Sequence, residues 1–418
     1  MGIIMKDGIQ CKTIFTKNLK NSNIGIIFKD GIQYRYYSTN KIINPDPVDG
    51  TYLPGTGTTY TLCLNFSTGN ANTWGTWIDS NLTECSPGGG ENEVDTLMGY
   101  YPCTLNEKGE EIEKINPNDY TKNINGVSLS NSDKVMVKFP CRGYKIWWDS
   151  NNTNKLYVSI TNERDREDYE YVTYEGKNLN AFYLGAYEGN ISSNKLLSKT
   201  NLSPTVNQTI STFRTAAQAN GKGFELFSFK ALTYLQCCAL IKYKGKSIQT
   251  ALGYGVYNAS SKINSGNCNT VGLNFASTQY GNKGAKLFGI ENLWGNIFTW
   301  IDGVCTNSNY HVLVGDGNFN NTGTGYTDVG TTSYGTGWVS RVKATSTKMG
   351  FVPSSFGGSA STYFCDYAAI RTSSVAIIGG NWDGGDKNGL FYFCISDPGS
   401  HHAAYIGGRL MYYKTKEE

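Results

Sequence analysis

Residues 379–413 read GGNWDGGDKNGLFYFCISDPGSHHAAYIGGRLMYY. Both ends of this stretch have the composition of packed structure. GLFYF (389–393) and IGGRLMYY (406–413) are rich in the aromatic and branched side chains that a sheet buries. The middle, CISDPGSHHAAY (394–405), follows neither the period of a helix nor that of a strand. It also holds His401 and His402, two of the chain's three histidines. An unpatterned segment between two packed ones predicts an irregular surface carried on a rigid frame.

The surrounding composition fits that expectation. The chain has 418 residues, room for two or three domains and one sizeable core. Gly is heavily used (49), aromatics reach 13% with 29 Tyr, and charged residues are only 17%. A disordered chain would be charged and poor in aromatics. This one predicts short strands, many turns and a surface of Asn, Ser, Thr, Gly and Tyr. Tyr with Ser, Gly and Asn is also how protein-built recognition surfaces are composed, although a Gly-rich β protein that happens to use Tyr fits equally well.

The net charge of +3 arises from 37 basic and 34 acidic residues mixed along the chain, with no basic stripe, so nucleic acid is not an expected partner. No apolar run approaches the length of a membrane span, and membrane insertion is not expected. The opening MGIIMKDGIQCK places Lys6 and Asp7 where a signal peptide needs its apolar region. Eleven cysteines, irregularly spaced and without CxxC, make neither a disulfide framework nor a zinc site. Cys237 and Cys238 sit in an apolar run and read as core thiols. Folding in a reducing cytoplasm is expected, and the triplets at Asn81, Asn190, Asn201 and Asn258 read as Asn-rich surface.

The N-terminus repeats itself: GIIMKDGIQCK (2–12) returns as GIIFKDGIQYR (25–35). Each copy predicts strand, Asp-Gly turn, strand. Two hairpins bury little by themselves, so residues 1–50 are expected to be an attachment or oligomerisation element. An ordinary sheet extension is the alternative. NPDPVDGTYLPGTG (44–57) is a Pro/Gly-rich linker. TTYTLCLNF (58–66) and NTWGTWID (72–79) look like strands, and SPGGGENE (86–93) reads as a loop. Residues 51–94 are either a small β module or an extension of the larger domain beginning at about residue 95.

Within that domain VMVKFP (135–140), YKIWW (144–148) and KLYVSI (155–160) predict strands. ISTFRTAAQANGKG (210–223) predicts a helix with Phe213, Ala216 and Ala217 on one face and Asn220-Gly221 as its stop. FSFKALTYLQCCALIKYKG (227–245) predicts a second, capped by Ser228 and ended by Gly245. Two helices among many short strands imply an α+β fold. The turn-rich stretch 314–337 reads as surface loop. ERDREDYEY (163–171) reads as a solvated face, Trp147-Trp148 as core and rim of a strand, and His311 as structural.

LFGIENLWGNIFTWIDG (287–303) resembles the GxxNxxGNVxEW signature of the formylglycine-generating-enzyme (sulfatase-modifying factor) branch of the C-type lectin fold. Gly289, Asn292, Gly295, Asn296 and Trp300 stand at the matching positions. Asn and Gly suit tight turns there, and Trp300 with Phe298 suits the core beneath. The closing stretch is similar to the C-terminal variable regions of retroelement-diversified proteins, notably phage tail receptor-binding proteins. The matches are Gly379, Gly380, Trp382, Gly389, Leu390, Phe391, Tyr392, Ile406, Gly407, Arg409 and Leu410. YPCTLNEKGEEIEKINPNDYT (101–121), the two helices and IQTALGYG (248–255) look like relatives of the same kind. The resemblance covers about 95–418. It implies an α+β C-type-lectin-like domain there, preceded by a small β-rich part.

The resemblance also implies what to look for chemically. The oxidase of this fold needs two cysteines five positions apart to hold copper. Here CDYAAIR (365–371) places Ile370 five positions after Cys365, ahead of the GGNW motif rather than behind it. One thiol cannot make a two-sulfur copper site, so no catalysis and no cofactor are expected. The calcium-dependent lectins carry Trp-Asn-Asp, whereas this chain has Asn381-Trp382-Asp383, and no calcium site is carried over.

In retroelement-diversified regions, adenines of Asn-type codons are scrambled, and the products exclude Met, Trp, Lys, Glu and Gln. CISDPGSHHAAY contains none of these, a test that a random window of that length passes roughly one time in ten. Asn381, Asp383, Gly384 and Asp386 also fit, whereas Lys387 does not. The expected ligand-binding residues are Asn381, Asp383, Asp386, Cys394, Ser396, Asp397, His401, His402 and Tyr405, facing outward from a sheet. Trp382, Arg409, Asn296 and Trp300 are the expected scaffold, with Arg409 tying it by hydrogen bonds. The competing readings are a plain surface loop and a metal site. Adjacent histidines on a strand point to opposite faces, and only Asp397 stands by to help.

The function implied is host adhesion by a phage or prophage tail-tip protein of the virion. It would bind a host-surface protein or glycan through the C-terminal surface. Tail or baseplate proteins would be met through the N-terminal part, and a homotrimer would add avidity. The alternatives are a sulfatase-modifying-type oxidase and a purely structural virion protein.

Overall fold

The computed structural model describes residues 57–71, 75–78, 91–277 and 283–415, together with the backbone of four strands within 1–51. The chain divides into two units, Met1–Thr51 and Tyr52–Glu418. In the first, strands Ile3–Lys6, Ile9–Ile14, Ile24–Lys29 and Ile32–Tyr37 pair in that order as an antiparallel sheet. Each copy of the sequence repeat supplies one strand pair. Its Asp-Gly residues lie outside the described residues, as do 44–56 and 79–90.

The second unit is α+β, with few helices and many short strands among its described residues. One sheet orders Gly143–Trp148, Lys155–Thr161, Thr59–Asn65 and Thr76–Ile78. The strands Thr59–Asn65 and Thr76–Ile78 are therefore joined to a segment some hundred positions later, not a free-standing module. A second sheet runs through Phe224–Leu226, Leu410–Thr415, Lys177–Gly185, Val135–Pro140, Tyr101–Leu105, Glu111–Asn116 and Asp119–Asn123. A third runs through Thr327–Thr331, His311–Val314, Phe298–Thr306, Val375–Gly379, Gly389–Asp397, Tyr367–Ile370, Gly335–Val342 and Pro353–Phe356. The closing stretch therefore begins in the third sheet and ends in the second. On the way, Ile406–Gly407 pairs in parallel with Phe298 and Thr299.

Helix Phe229–Tyr243 fills the core that these sheets share. Thirteen of its fifteen residues are buried, so it is apolar on all sides rather than amphipathic. Ser228 caps it by accepting from the amide of Ala231, as its sequence implied. Its end differs from expectation: Lys244, not Gly245, takes the left-handed conformation at φ 53°. Helix Ile210–Gln218 buries Phe213, Ala216 and Ala217. There the Asn220 side chain donates to the carbonyls of Ala216 and Ala217 and ends the helix.

Three expectations need correction. Two further short helices stand beside the expected pair, Glu91–Met98 and Ile248–Leu252, and the first begins within the segment expected to be a loop. The stretch 314–337 contains the strand Thr327–Thr331 and the start of another. Alternating Thr and Gly hid both behind turn-like composition. Finally, the strand that begins GLFYF continues to Asp397.

Nine described cysteines are free thiols, all buried except the half-buried Cys63. His311 pairs with Asp328 at 2.6 Å. Among the described residues, no helix is long and apolar enough to cross a membrane.

Candidate functional site

The closing stretch is anchored from below by Arg409. Its side chain is fully buried and donates to the carbonyls of Gly185 (2.9 Å), Glu291 (2.8 Å) and Asn292 (2.8 Å). One guanidinium thus joins the second sheet to the 287–303 motif, which a rigid five-donor fork can do and an ammonium cannot. Beside it lies buried Glu188, whose Oε2 accepts from Asn292 Nδ2 (3.0 Å) and Asn296 Nδ2 (2.5 Å). Asn292 and Asn296 sit at φ 52° and 56°, a left-handed conformation that Asn tolerates, and this turns both amides inward. Burial pushes the Glu188 carboxyl up to about 7, against the pull of Arg409 and the two amides. Burial also draws Arg409 down to about 10, so it remains cationic at neutral pH. Trp300 is fully buried and donates from Nε1 to the Gln208 carbonyl at 3.2 Å.

The loop 380–388 is latched by a residue that sequence reasoning passed over, Asn388. It is fully buried. Its Oδ1 accepts from the amide of Asn381 (3.2 Å), and its Nδ2 donates to the Asn381 carbonyl (2.7 Å). A Cβ at Gly380 or Gly384 would collide with Asn388 Oδ1, and Gly380 also has φ +84°. The paired glycines are thus required by the latch. Gly380→Ala is expected to destabilise the protein by about 1–3 kcal/mol, read as a lower urea midpoint with an unchanged slope. Below the latch, the amide of Phe391 donates to buried Asp366 (2.6 Å). Gln249 Nε2 donates to Asp366 and to the carbonyls of Cys365 and Asn388.

Beyond Asp397 the backbone is held at several points. The amide of Asn207 donates to Ala403 O (2.9 Å), that of Phe298 to Tyr405 O (2.9 Å), and that of His401 to Pro398 O (2.9 Å). The main chain of 398–405 is therefore fixed even though its side chains follow no pattern.

The expected site residues fall into two groups and two corrections. Asp383 and Asp386 are exposed on the 380–388 loop, Asp383 accepting from Asn381 Nδ2 at 2.6 Å. Trp382 and Tyr405 meet edge to face at 6.5 Å, and Tyr405 is 39% exposed. In the second group Ser396 donates to Asp397 (3.1 Å), and Asp397 lies 3.8 Å from half-buried His401. Exposed His402 contacts Asn207 Oδ1 at 2.9 Å. The two histidines therefore turn to different partners. Among the described residues no group of three or more His, Cys, Asp or Glu could hold a metal ion.

Asn381 and Cys394 are buried and are not part of the exposed surface. Asn381 is held in the latch. Cys394 faces a second core cluster with Ile377, Phe298 and Trp300, and burial pushes its thiol up to about 12. For Cys394 the physical reason is that the central strands Phe298–Thr306, Val375–Gly379 and the first part of Gly389–Asp397 are covered on both faces. Within 379–413 the exposed side chains come from the loop 380–388 and the segment 398–405.

No family model matches the chain, and no curated protein matches its sequence. Among solved structures the chain is similar to the U1 variant of the Major Tropism Determinant, at 13% identity and a TM-score of 0.31, over 82% of this chain and 76% of that one. It is similar to the P3c variant at 13% identity and a TM-score of 0.31, over 94% and 92%. It is also similar to PvdO from Pseudomonas aeruginosa at 13% identity and a TM-score of 0.30, over 67% and 94%.

Proposed function

We propose that this chain is a receptor-binding protein of a phage or prophage tail tip, with a C-type-lectin-like domain that recognises a host-surface ligand without catalysis. The observation that carries this reading is a division of labour within 379–413. Buried Arg409 and Asn388, with main-chain hydrogen bonds, hold the backbone. Asp383, Asp386, His402 and Tyr405 meanwhile reach solvent. Exposed side chains that contribute little to packing can vary at modest cost in stability. The same backbone can therefore carry many surfaces, as the resemblance to diversified variable regions implies. Residues 1–50 would attach the protein to the tail, and a trimer would multiply weak contacts through avidity.

The test replaces Asp383, Asp386, His402 and Tyr405 together by Ser. Unfolding free energy is expected to fall by about 1–2 kcal/mol, largely from the lost ring contacts of Tyr405, while adsorption of the labelled chain to host cells is lost. Unchanged adsorption would favour a structural virion protein. Aerobic copper loading followed by oxidation of a cysteine peptide would favour the oxidase instead.

A further inference from the structure

A row of aromatic rings crosses from the constant part of the fold into the closing stretch. Trp338 meets Tyr367 at 5.9 Å between centroids, Tyr367 meets Tyr392 at 6.2 Å, and Tyr392 meets Phe298 at 5.1 Å. Phe298 meets Tyr405 at 5.9 Å, and Tyr405 meets Trp382 at 6.5 Å. Apart from Phe298, which is buried, each ring is half-buried or exposed. Trp338, Tyr367 and Phe298 lie outside 379–413, so half of the row stays constant whatever that stretch contains.

The groups around the rings are charged. Lys387 stands 5.0 Å over the Tyr367 ring, Asp383 and Asp386 are exposed on the adjoining loop, and Arg371 stacks at 4.4 Å on Tyr334, itself 63% exposed. Among the described residues, the large aliphatic side chains that are exposed are Ile112, Ile124 and Val127, which belong to another sheet and its turn.

Resting on the receptor-binding reading, the geometry points to a glycan chain as the ligand, laid along this row of rings. The centre of a protein–protein interface is depleted of charged residues and uses Met and other apolar side chains beside its aromatics. Here the accessible groups are exposed Tyr405 and half-buried rings, with carboxylates and a cation beside them. A pyranose presents the complement: C–H faces for the negative faces of the rings, and hydroxyls for charged donors and acceptors. Trp338 and Tyr367, half-buried and outside 379–413, would supply stacking common to every variant. Asp383, Asp386 and Tyr405 would select among sugars by their hydroxyl patterns.

Two measurements test this. Intrinsic tryptophan fluorescence of the full chain is titrated with bacterial cell-surface polysaccharides drawn from an array. Binding is expected, about tenfold weaker for Tyr392→Ala and for Tyr405→Ala. Tyr392→Phe, which keeps the ring, should bind like the parent, whereas equal loss in Tyr392→Phe would overturn the stacking role. In parallel, a bacterial strain that the labelled chain stains is treated with periodate or with proteinase K. Staining lost to periodate and kept after proteinase K supports the glycan. The reverse overturns it in favour of a protein receptor, leaving the adhesion role intact. Staining that survives both treatments overturns it as well, and if it also survives the four-fold Ser substitution, the adhesion reading falls too.

Discussion

Arg409→Leu is expected to lower the unfolding free energy by about 3–5 kcal/mol, or to leave the chain insoluble. Arg409 is fully buried and satisfies the carbonyls of Gly185, Glu291 and Asn292. Removing it strands all three and withdraws the cation that faces Glu188 and Glu291. An unpaired buried polar group costs more than its hydrogen bond contributed when made. Arg409→Lys should fall between, because an ammonium keeps the charge but cannot span three carbonyls. The measurement is a urea titration followed by fluorescence of the buried Trp294 and Trp300. A Leu variant within about 1 kcal/mol of the parent would show that the knot is not what holds the closing stretch. The same loss should appear in adsorption, since the exposed residues depend on a backbone that Arg409 pins at one end.

What could be read from the sequence divides along a physical line. Arg409, Asn296 and Trp300 were legible because they stand in short motifs whose spacing reflects local turns. The Ser228 cap and the core thiols Cys237 and Cys238 follow from periodicity within one helix. Glu188 was not legible. Its partners Asn292 and Asn296 lie 104 and 108 positions away, and no local pattern marks a carboxylate that will be buried. Gln249, which reaches Asn388 across 139 positions, was hidden for the same reason. Asn388 did have a signal, since four glycines stand close before it and one directly after, as a loop folding back over a buried amide requires. Cys394 was misplaced by assuming that one face of the sheet is wet, and Asn381 because the Asn388 latch that buries it cannot be seen locally. When both faces are covered, alternation along a strand no longer separates inside from outside. Tyr367, Trp338 and Tyr392 come together only through strand pairing between segments distant in sequence, Trp338 lying opposite Tyr367 and Ala368 opposite Phe393.

Glu188 also sets how stability depends on pH. Its carboxyl is pushed up to about 7 by burial, from an ordinary value of 4.5. The folded protein therefore holds this proton more tightly than the unfolded chain does. The sign comes from linkage: the stability contributed is fully present below about 4.5 and is lost as pH rises through about 7. The span corresponds to about 3 kcal/mol. Asp366, Glu291 and Asp302 are also raised by burial and tilt the curve the same way. The decisive quantity is accordingly the difference between the parent and Glu188→Gln. The Gln carbonyl can still accept from Asn292 and Asn296 but carries no charge to desolvate. Unfolding free energies from urea titrations at pH 5, 6, 7 and 8 should show the variant gaining on the parent step by step. At pH 8 it should be ahead by up to about 3 kcal/mol relative to their difference at pH 5. Parallel curves would mean that Glu188 is ionised in the folded state throughout. Arg409 and the two asparagine amides would then outweigh burial, and the knot would be an ion pair rather than a proton-holding carboxyl beside a cation.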